Sequence, residues 1–376
     1  MGDNMGEVIV VNLFLLVRVF LVGGIFILFP RITRKGLFFG VYVGEEFPES
    51  DLAGGVLRGW DRGCVTVMAA ALLVGLAGTF AGNAVAGNLT GTVVLLLGCT
   101  VHFVRTYGKV KALGIPDDRE QAGKATATIE LGNPKVETFA KITLVVCLLV
   151  SLATLTYAYL SYPSMGERMP TLWSLIGGAE GTTEISYLTI LYVPGWNLVI
   201  APLFAFLALM VSTAKRSLRD GSGSQSAEAQ EAFRSTNVYI LGGIALLYLV
   251  LMTAFSLQVV RIGRGEASGL GAGFFGFMIV MIVLMASGLF FILKRLGQGG
   301  SRLEQGSREG RLTGGLADNS RWVLGMFYVN PDDPSLMVES RFGIGYAMNW
   351  GRGLSVTFSI FSGGLILTMI TLGFFL

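Results

Sequence analysis

Stretches of roughly 20 apolar residues, separated by polar links, govern what this chain can become, because a segment surrounded by hydrocarbon must satisfy every backbone N–H and C=O within itself. Such stretches fall near residues 8–30, 64–83, 88–105, 139–160, 189–211, 238–260, 271–293 and 353–376. Of the 376 residues, 52% are hydrophobic and 14% charged, and the mean hydropathy is +0.64. No ordinary soluble domain shows that combination. The pattern predicts an all-α polytopic membrane protein with about eight transmembrane helices and a small β-containing cytoplasmic element from the first and seventh loops. The first stretch is too long for a cleaved signal peptide, and Asp3 and Glu7 ahead of it with Arg31, Arg34 and Lys35 behind it are the wrong flanks, so it is expected to be retained.

Basic residues predict the orientation, since loops rich in Lys and Arg stay on the cytoplasmic side. Arg31, Arg34, Lys35, Arg58 and Arg62 occupy the first loop, and Arg105, Lys109, Lys111 and Lys124 the third. The fifth holds Lys215, Arg216, Arg219 and Arg234; the seventh holds Lys294, Arg295, Arg302, Arg308, Arg311 and Arg321. Even loops are poor in them, Arg168, Arg261 and Arg264 excepted. Odd loops are therefore expected in the cytoplasm and both termini outside.

On this basis the chain divides into residues 1–160, a four-helix region with cytoplasmic loops 31–63 and 106–138; residues 161–296, an outward loop with spans five to seven; residues 297–352, a cytoplasmic tether and an Asn-Pro-Asp-Asp-Pro segment; and residues 353–376, the last span. Pro331 and Pro334 stiffen the turn at Asn330–Pro334, and Asn and Asp side chains bond local backbone there. Apolar, branched and aromatic residues from Val323 to Val329 and alternation from Leu336 to Glu339 predict a strand on each side, and Tyr346 and Trp350 are the amphipathic rings expected at headgroup level. In the first loop, Gly36 to Glu46 reads as a short strand whose Phe39-Gly40-Val41 echoes Phe342-Gly343-Ile344, which predicts that the two loops pack together.

Two resemblances enter at these residues. The run from Tyr162-Pro163 through Glu167-Arg168-Met169-Pro170-Thr171-Leu172-Trp173, Gly177 to Gly181 and Ser186-Tyr187-Leu188, with Pro194 and Asn197 following, resembles the extracytoplasmic motif of the bacterial domain of unknown function 1648. That domain also occurs in Sdp-type immunity proteins, which act in toxin immunity and signal relay. In that family a polar residue, commonly histidine, precedes the aromatic position; here it is Leu172. Asn330, Pro331, Asp332, Asp333, Pro334, Arg341, Phe342, Gly343, Ile344, Gly345 and Asn349 are similar to the C-terminal domain of unknown function 5808. The resemblances imply a bacterial cytoplasmic membrane protein with no settled activity, and the residues themselves offer no cofactor motif.

The candidate functional residues are Asn330, Asp332, Asp333, Arg341 and Asn349 of the turn segment, Glu45 and Glu46 of the first loop, and Arg18. On the outward side they are Glu167, Arg168, Trp173 and Glu180. Clustered carboxylates suit hard cations or a basic partner, while Asx side chains equally brace turns. Arg18 falls near the middle of the first predicted span, where a charge is costly and usually faces protein or water. Cys64, Cys99 and Cys147 lack metal-ligand spacing, and a single histidine, His102, excludes a multi-histidine site within one chain. Gly271-Ala272-Gly273-Phe274-Phe275-Gly276 has the dinucleotide spacing without a preceding strand and reads instead as helix packing. A net charge of +3, spread along the chain, excludes nucleic acid as a partner. Lipid, a cytoplasmic protein and an external peptide or small molecule remain the expected partners. These features predict a non-catalytic sensor, immunity or regulatory protein, with a small-molecule permease or exporter, then a membrane enzyme, as alternatives.

Overall fold

The computed structural model describes residues 3–33, 36–44, 46–113, 133–170, 181–214, 223–270, 316, 318–341 and 345–373, with scattered positions from 274 to 288. Seven helices among them are long and apolar enough to cross a membrane. They are α1 (Asp3–Ile32), α2 (Asp51–Phe80), α3 (Ala84–Ala112), α4 (Pro134–Ser161), α5 (Tyr187–Ser212), α6 (Gly223–Gly263) and α7 (Gly353–Gly373). The predicted span at 271–293 lies largely outside the described residues, and those described within it, such as Phe274, Met281 and Ser287, are helical.

Polar side chains start the helices where hydropathy alone does not. Ser50, Asn83, Asn133 and Ser186 each accept a hydrogen bond from a free backbone N–H in the first turn of α2, α3, α4 and α5. Helix therefore runs well past the apolar stretch: α2 begins at Asp51, against the predicted 64. Pro194 and Pro202 lie within α5 without ending it. Among helices that leave Leu73, Leu160, Ile360 and Leu367 exposed, the outward-facing surface is apolar.

The helices form two groups. In the N-terminal group, α2 and α3 meet through glycine: a Cβ on Gly87 would lie 2.6 Å from the Gly75 carbonyl oxygen and 2.7 Å from Gly78 Cα. Such close backbone approach maximises dispersion contact where there is no water to drive association. Leu15 and Val19 of α1 pack onto this pair against Met68, Ala71, Leu95 and Cys99. In the C-terminal group, α4, α5 and α6 pack through Cys147, Ala201, Ala205, Ala245 and Leu249. There α7 joins α5 through Phe206 and Phe358, ring centroids 4.9 Å apart.

At the end of the helices where Arg31, Arg58, Arg105, Lys109 and Lys135 fall lies a layer of short antiparallel hairpins. Strand β1 (Leu37–Phe38) pairs with β2 (Val41–Tyr42). On the opposite end β3 (Arg168–Pro170) pairs with β4 (Thr182–Glu184). Back in the layer, β5 (Trp322–Val323) pairs with β6 (Phe327–Tyr328), and β7 (Met337–Glu339) with β8 (Tyr346–Met348). A parallel bridge from Tyr328 to Asn349 joins these last two hairpins.

This corrects the strand reading around the Asn-Pro-Asp-Asp-Pro turn. The two flanking segments do not pair with each other across it. The first folds on itself, because Leu324 and Gly325 take φ of 52° and 68° and reverse the chain. The same device turns β1 into β2, with Phe39 and Gly40 at 48° and 78°. The two turns meet at their glycines, where a Cβ on Gly40 would lie 2.6 Å from the Gly325 oxygen. The first and seventh loops therefore do pack together, but the partner of Phe39-Gly40 is Leu324-Gly325; the echo seen at 342–344 lies outside the described residues.

The layer holds the two helix groups through three apolar contacts. Phe38 and Phe39 pack on Trp60, Cys64, Phe103 and Tyr107 of α2 and α3. Leu37 and Tyr42 pack on Trp322, Tyr328 and Val338 within the layer. Met337 with Leu336, Tyr346 and Met348 packs on Val136, Ala208, Val211 and Val238 of α4, α5 and α6.

Candidate functional site

The turn segment is built from its own side chains. Asn330 Oδ1 accepts from the Asp332 N–H at 3.1 Å, and Asp333 Oδ1 from the Ser335 N–H at 3.0 Å, the local bonds that make Asx residues turn formers. Asn349, 0% exposed, ties the turn to β8. Its amide nitrogen donates to the carbonyls of Asn330, Asp333 and Ser335, and its oxygen accepts from the N–H groups of Asn330 and Gly351. The Tyr328 hydroxyl donates to Asp333 Oδ2 at 3.1 Å and accepts from the Asn330 amide at 3.0 Å. Burial pushes the Tyr328 phenol up to about 12, the Asn330 bond works against that rise and the Asp333 carboxylate adds to it. Tyr328 is therefore a neutral donor at physiological pH.

These bonds separate the two carboxylates by role. Asp333 is buried and braces the turn, while the Asp332 side chain is 83% exposed with Arg321 at 3.8 Å. The cation suited to fold back on them by sequence, Arg341, does not do so. It is 1% exposed and bonds Asn319 Oδ1 at 2.7 Å, the Leu316 carbonyl at 2.6 Å and the Gly40 carbonyl at 3.3 Å. Its guanidinium lies 5.1 Å from the Trp322 ring centroid. Arg341 thus joins the first loop to the seventh.

Asn319, within residues 297–352, makes the same junction, accepting from the Tyr42 N–H at 2.9 Å and donating to the Tyr42 carbonyl at 3.1 Å. The signal for it was Asp318-Asn319-Ser320, a run of capping residues in which Asp318 accepts from the Ser320 N–H. Glu46 is exposed at the start of a short turn, and Glu45 lies outside the described residues. Among the described residues no three His, Cys, Asp or Glu side chains converge as metal ligands.

Arg18, midway along α1, bonds Asn88, in the second turn of α3. Beside it Thr79, at the far end of α2, donates to Asn12 at 3.0 Å. Arg18 and Asn12 therefore meet the ends of α3 and α2 remote from the β-layer.

At that same end the β3–β4 hairpin places Arg168 opposite Glu184 and bonds Arg168 to Thr182, with Glu167 exposed beside it. Trp173 and Glu180 lie outside the described residues. Arg264, absent from the candidates, anchors this end: it bonds Ser161, Ser164 and the Tyr157 hydroxyl, joining the end of α6 to that of α4.

A model of a family of unknown function, DUF5808, matches residues 331–356, from the proline of the turn through β7 and β8 into α7. No curated protein and no solved structure matches the chain.

Proposed function

We propose that the protein is a non-catalytic membrane sensor or regulatory protein of the bacterial cytoplasmic membrane. Its β-layer faces the cytoplasm and its β3–β4 hairpin, in the stretch resembling the domain of unknown function 1648, faces outward. One observation carries the reading: the β-layer is wedged against both helix groups, so a shift of one group relative to the other is felt there. The exposed face of the layer, with Asp332 and the edge-to-face pair of Phe327 and Trp350, is the surface for a cytoplasmic partner. Immunity of the Sdp type is one form such a relay takes.

Excising residues 322–346 tests this. Membrane levels are expected to hold, while the transcript profile of cells carrying the excised chain becomes that of cells lacking it. A profile matching cells with the intact chain sinks the reading.

A buried polar cluster favours the permease as a second reading. Asn197, 0% exposed, donates to Thr253 at 3.1 Å, and Ser151 donates to its carbonyl at 3.2 Å, one turn beyond Pro194. Solute flux into liposomes holding the purified chain, lost in Asn197→Leu, would replace the first reading with this one.

A further inference from the structure

We propose that the groove between α2 and α3 binds an anionic phospholipid, one acyl chain lying along Val67, Leu97 and Val101 and the phosphate held among Arg62, Arg105 and Lys109. This rests on the membrane placement above, with the β-layer at the cytoplasmic face.

The groove has a volume of about 450 Å³ and is lined by Gly63, Thr66, Val67, Leu97, Gly98, Val101, His102 and Arg105. From Leu97 to Arg105 it runs about 12 Å along α3, at 1.5 Å per residue. At its floor the helices meet closely, Val67 and His102 packing directly over glycine: a Cβ on Gly98 would lie 2.6 Å from Val67, and one on Gly63 would overlap the His102 ring. Leu97 and Val101 are 61% and 48% exposed, so the trough opens sideways, where a bilayer would supply acyl chains. No described residue covers it.

Its far end is charged. Arg105 lines the groove, Lys109 follows one turn on along α3, and Arg62 precedes Gly63 on α2, all three exposed. None makes an ion pair with a described residue. The one carboxylate on that turn of α2, Asp61, is turned away and held by Arg31 at 2.7 Å. The walls are fixed: His102 stacks on Trp60 with ring centroids 4.8 Å apart and donates from Nε2 to the Trp60 carbonyl at 3.2 Å, and Thr66 donates to the Arg62 carbonyl. An apolar trough ending in uncommitted cations is complementary to one molecule class, a lipid with an anionic headgroup. Basic clusters between helices on the cytoplasmic side recognise such headgroups.

Native mass spectrometry of the detergent-purified chain, titrated with phosphatidylglycerol or phosphatidylcholine of identical acyl chains, tests the site. Each cation contributes roughly fivefold to anionic-lipid preference, so phosphatidylglycerol is expected to bind at least ~10-fold more tightly. The double variant Arg62→Gln/Arg105→Gln should cut that preference at least ~5-fold, leaving what Lys109 supplies, and Leu97→Trp, which fills the trough, should weaken both lipids. The control Arg321→Gln/Arg352→Gln, with equal charge lost on the β-layer, should keep it. Preference undiminished in Arg62→Gln/Arg105→Gln, or reduced equally in the control, overturns the proposal. So does displacement of the lipid by millimolar inorganic phosphate, which would mark a phosphate site indifferent to the acyl chain. A chain that stays monodisperse without detergent rejects the membrane placement itself, whereas a detergent-dependent chain that binds both lipids equally rejects only this site.

Discussion

The two helix groups solve one packing problem by opposite means. The N-terminal group brings backbones together at Gly75, Gly78, Gly87 and Gly91, and its side-chain bonds between helices, Arg18 to Asn88, Thr79 to Asn12 and Arg31 to Asp61, join α1 to α2 or α3 and lie outside those contacts. The C-terminal group keeps Asn197, Ser151 and Thr154 buried, bonded to one another, to Thr253 or to backbone. Glycine contacts have one good geometry, and any added atom is a clash. Hydroxyl and amide bonds between helices are worth roughly 0.6–2 kcal/mol each and can exchange partners. The first group's contacts leave no room for an added atom while the second's bonds can exchange partners, a contrast that the proposed relay through the β-layer would use.

The largest expected effect breaks the glycine contacts. Gly87→Leu drives a side chain into the Gly75 carbonyl and the Gly78 backbone, where neither can yield, and should cost at least about 1–3 kcal/mol. Thermal unfolding in detergent should show a lowered midpoint; an unchanged midpoint would mean that α2 and α3 are not held by backbone approach.

A smaller effect separates the layer from the helices. The Tyr328 phenol is raised from its ordinary 10 to about 12, so the folded layer favours the protonated form. Stability from this group is fully present below pH 10 and is lost as pH rises toward 12. Protease cleavage within residues 316–350 should accelerate over that interval in the wild type more than in Tyr328→Phe. Equal acceleration in both would remove Tyr328 from the account.

The smallest effect sharpens the contrast from the hydrogen-bonded side. Asn197→Ala removes one interhelical bond to Thr253, while Asn197 Oδ1 has no partner among the described residues, so the loss should be only about 0.6–1.7 kcal/mol. A midpoint shift as large as that of Gly87→Leu would erase the distinction between the groups.

Hydropathy made the helices legible, because a run of about 20 apolar residues has few other fates. It missed their beginnings: the polar turns before residue 64 are helical because Ser50 caps them and the β1–β2 hairpin packs on Trp60 and Phe103. The turn residues Asn330 and Asp333 were legible as a rigid unit because Asx chemistry is local, whereas Asn349 reaches the turn from 14 to 19 residues away and was marked only by the family resemblance.

By itself, then, the sequence determined the apolar helices, the concentration of charge at one end and the chemistry of the turn, all consequences of residues near one another along the chain. Tertiary structure alone decided the rest. Strand pairing followed from which residues adopt positive φ, so Val323–Val329 folded on itself at Leu324-Gly325 instead of crossing the turn. Arg341 went to Gly40, 301 residues away, and not to the carboxylates a few positions from it. A buried guanidinium must find acceptors for its N–H groups, and which acceptors stand within reach is settled only when distant loops meet.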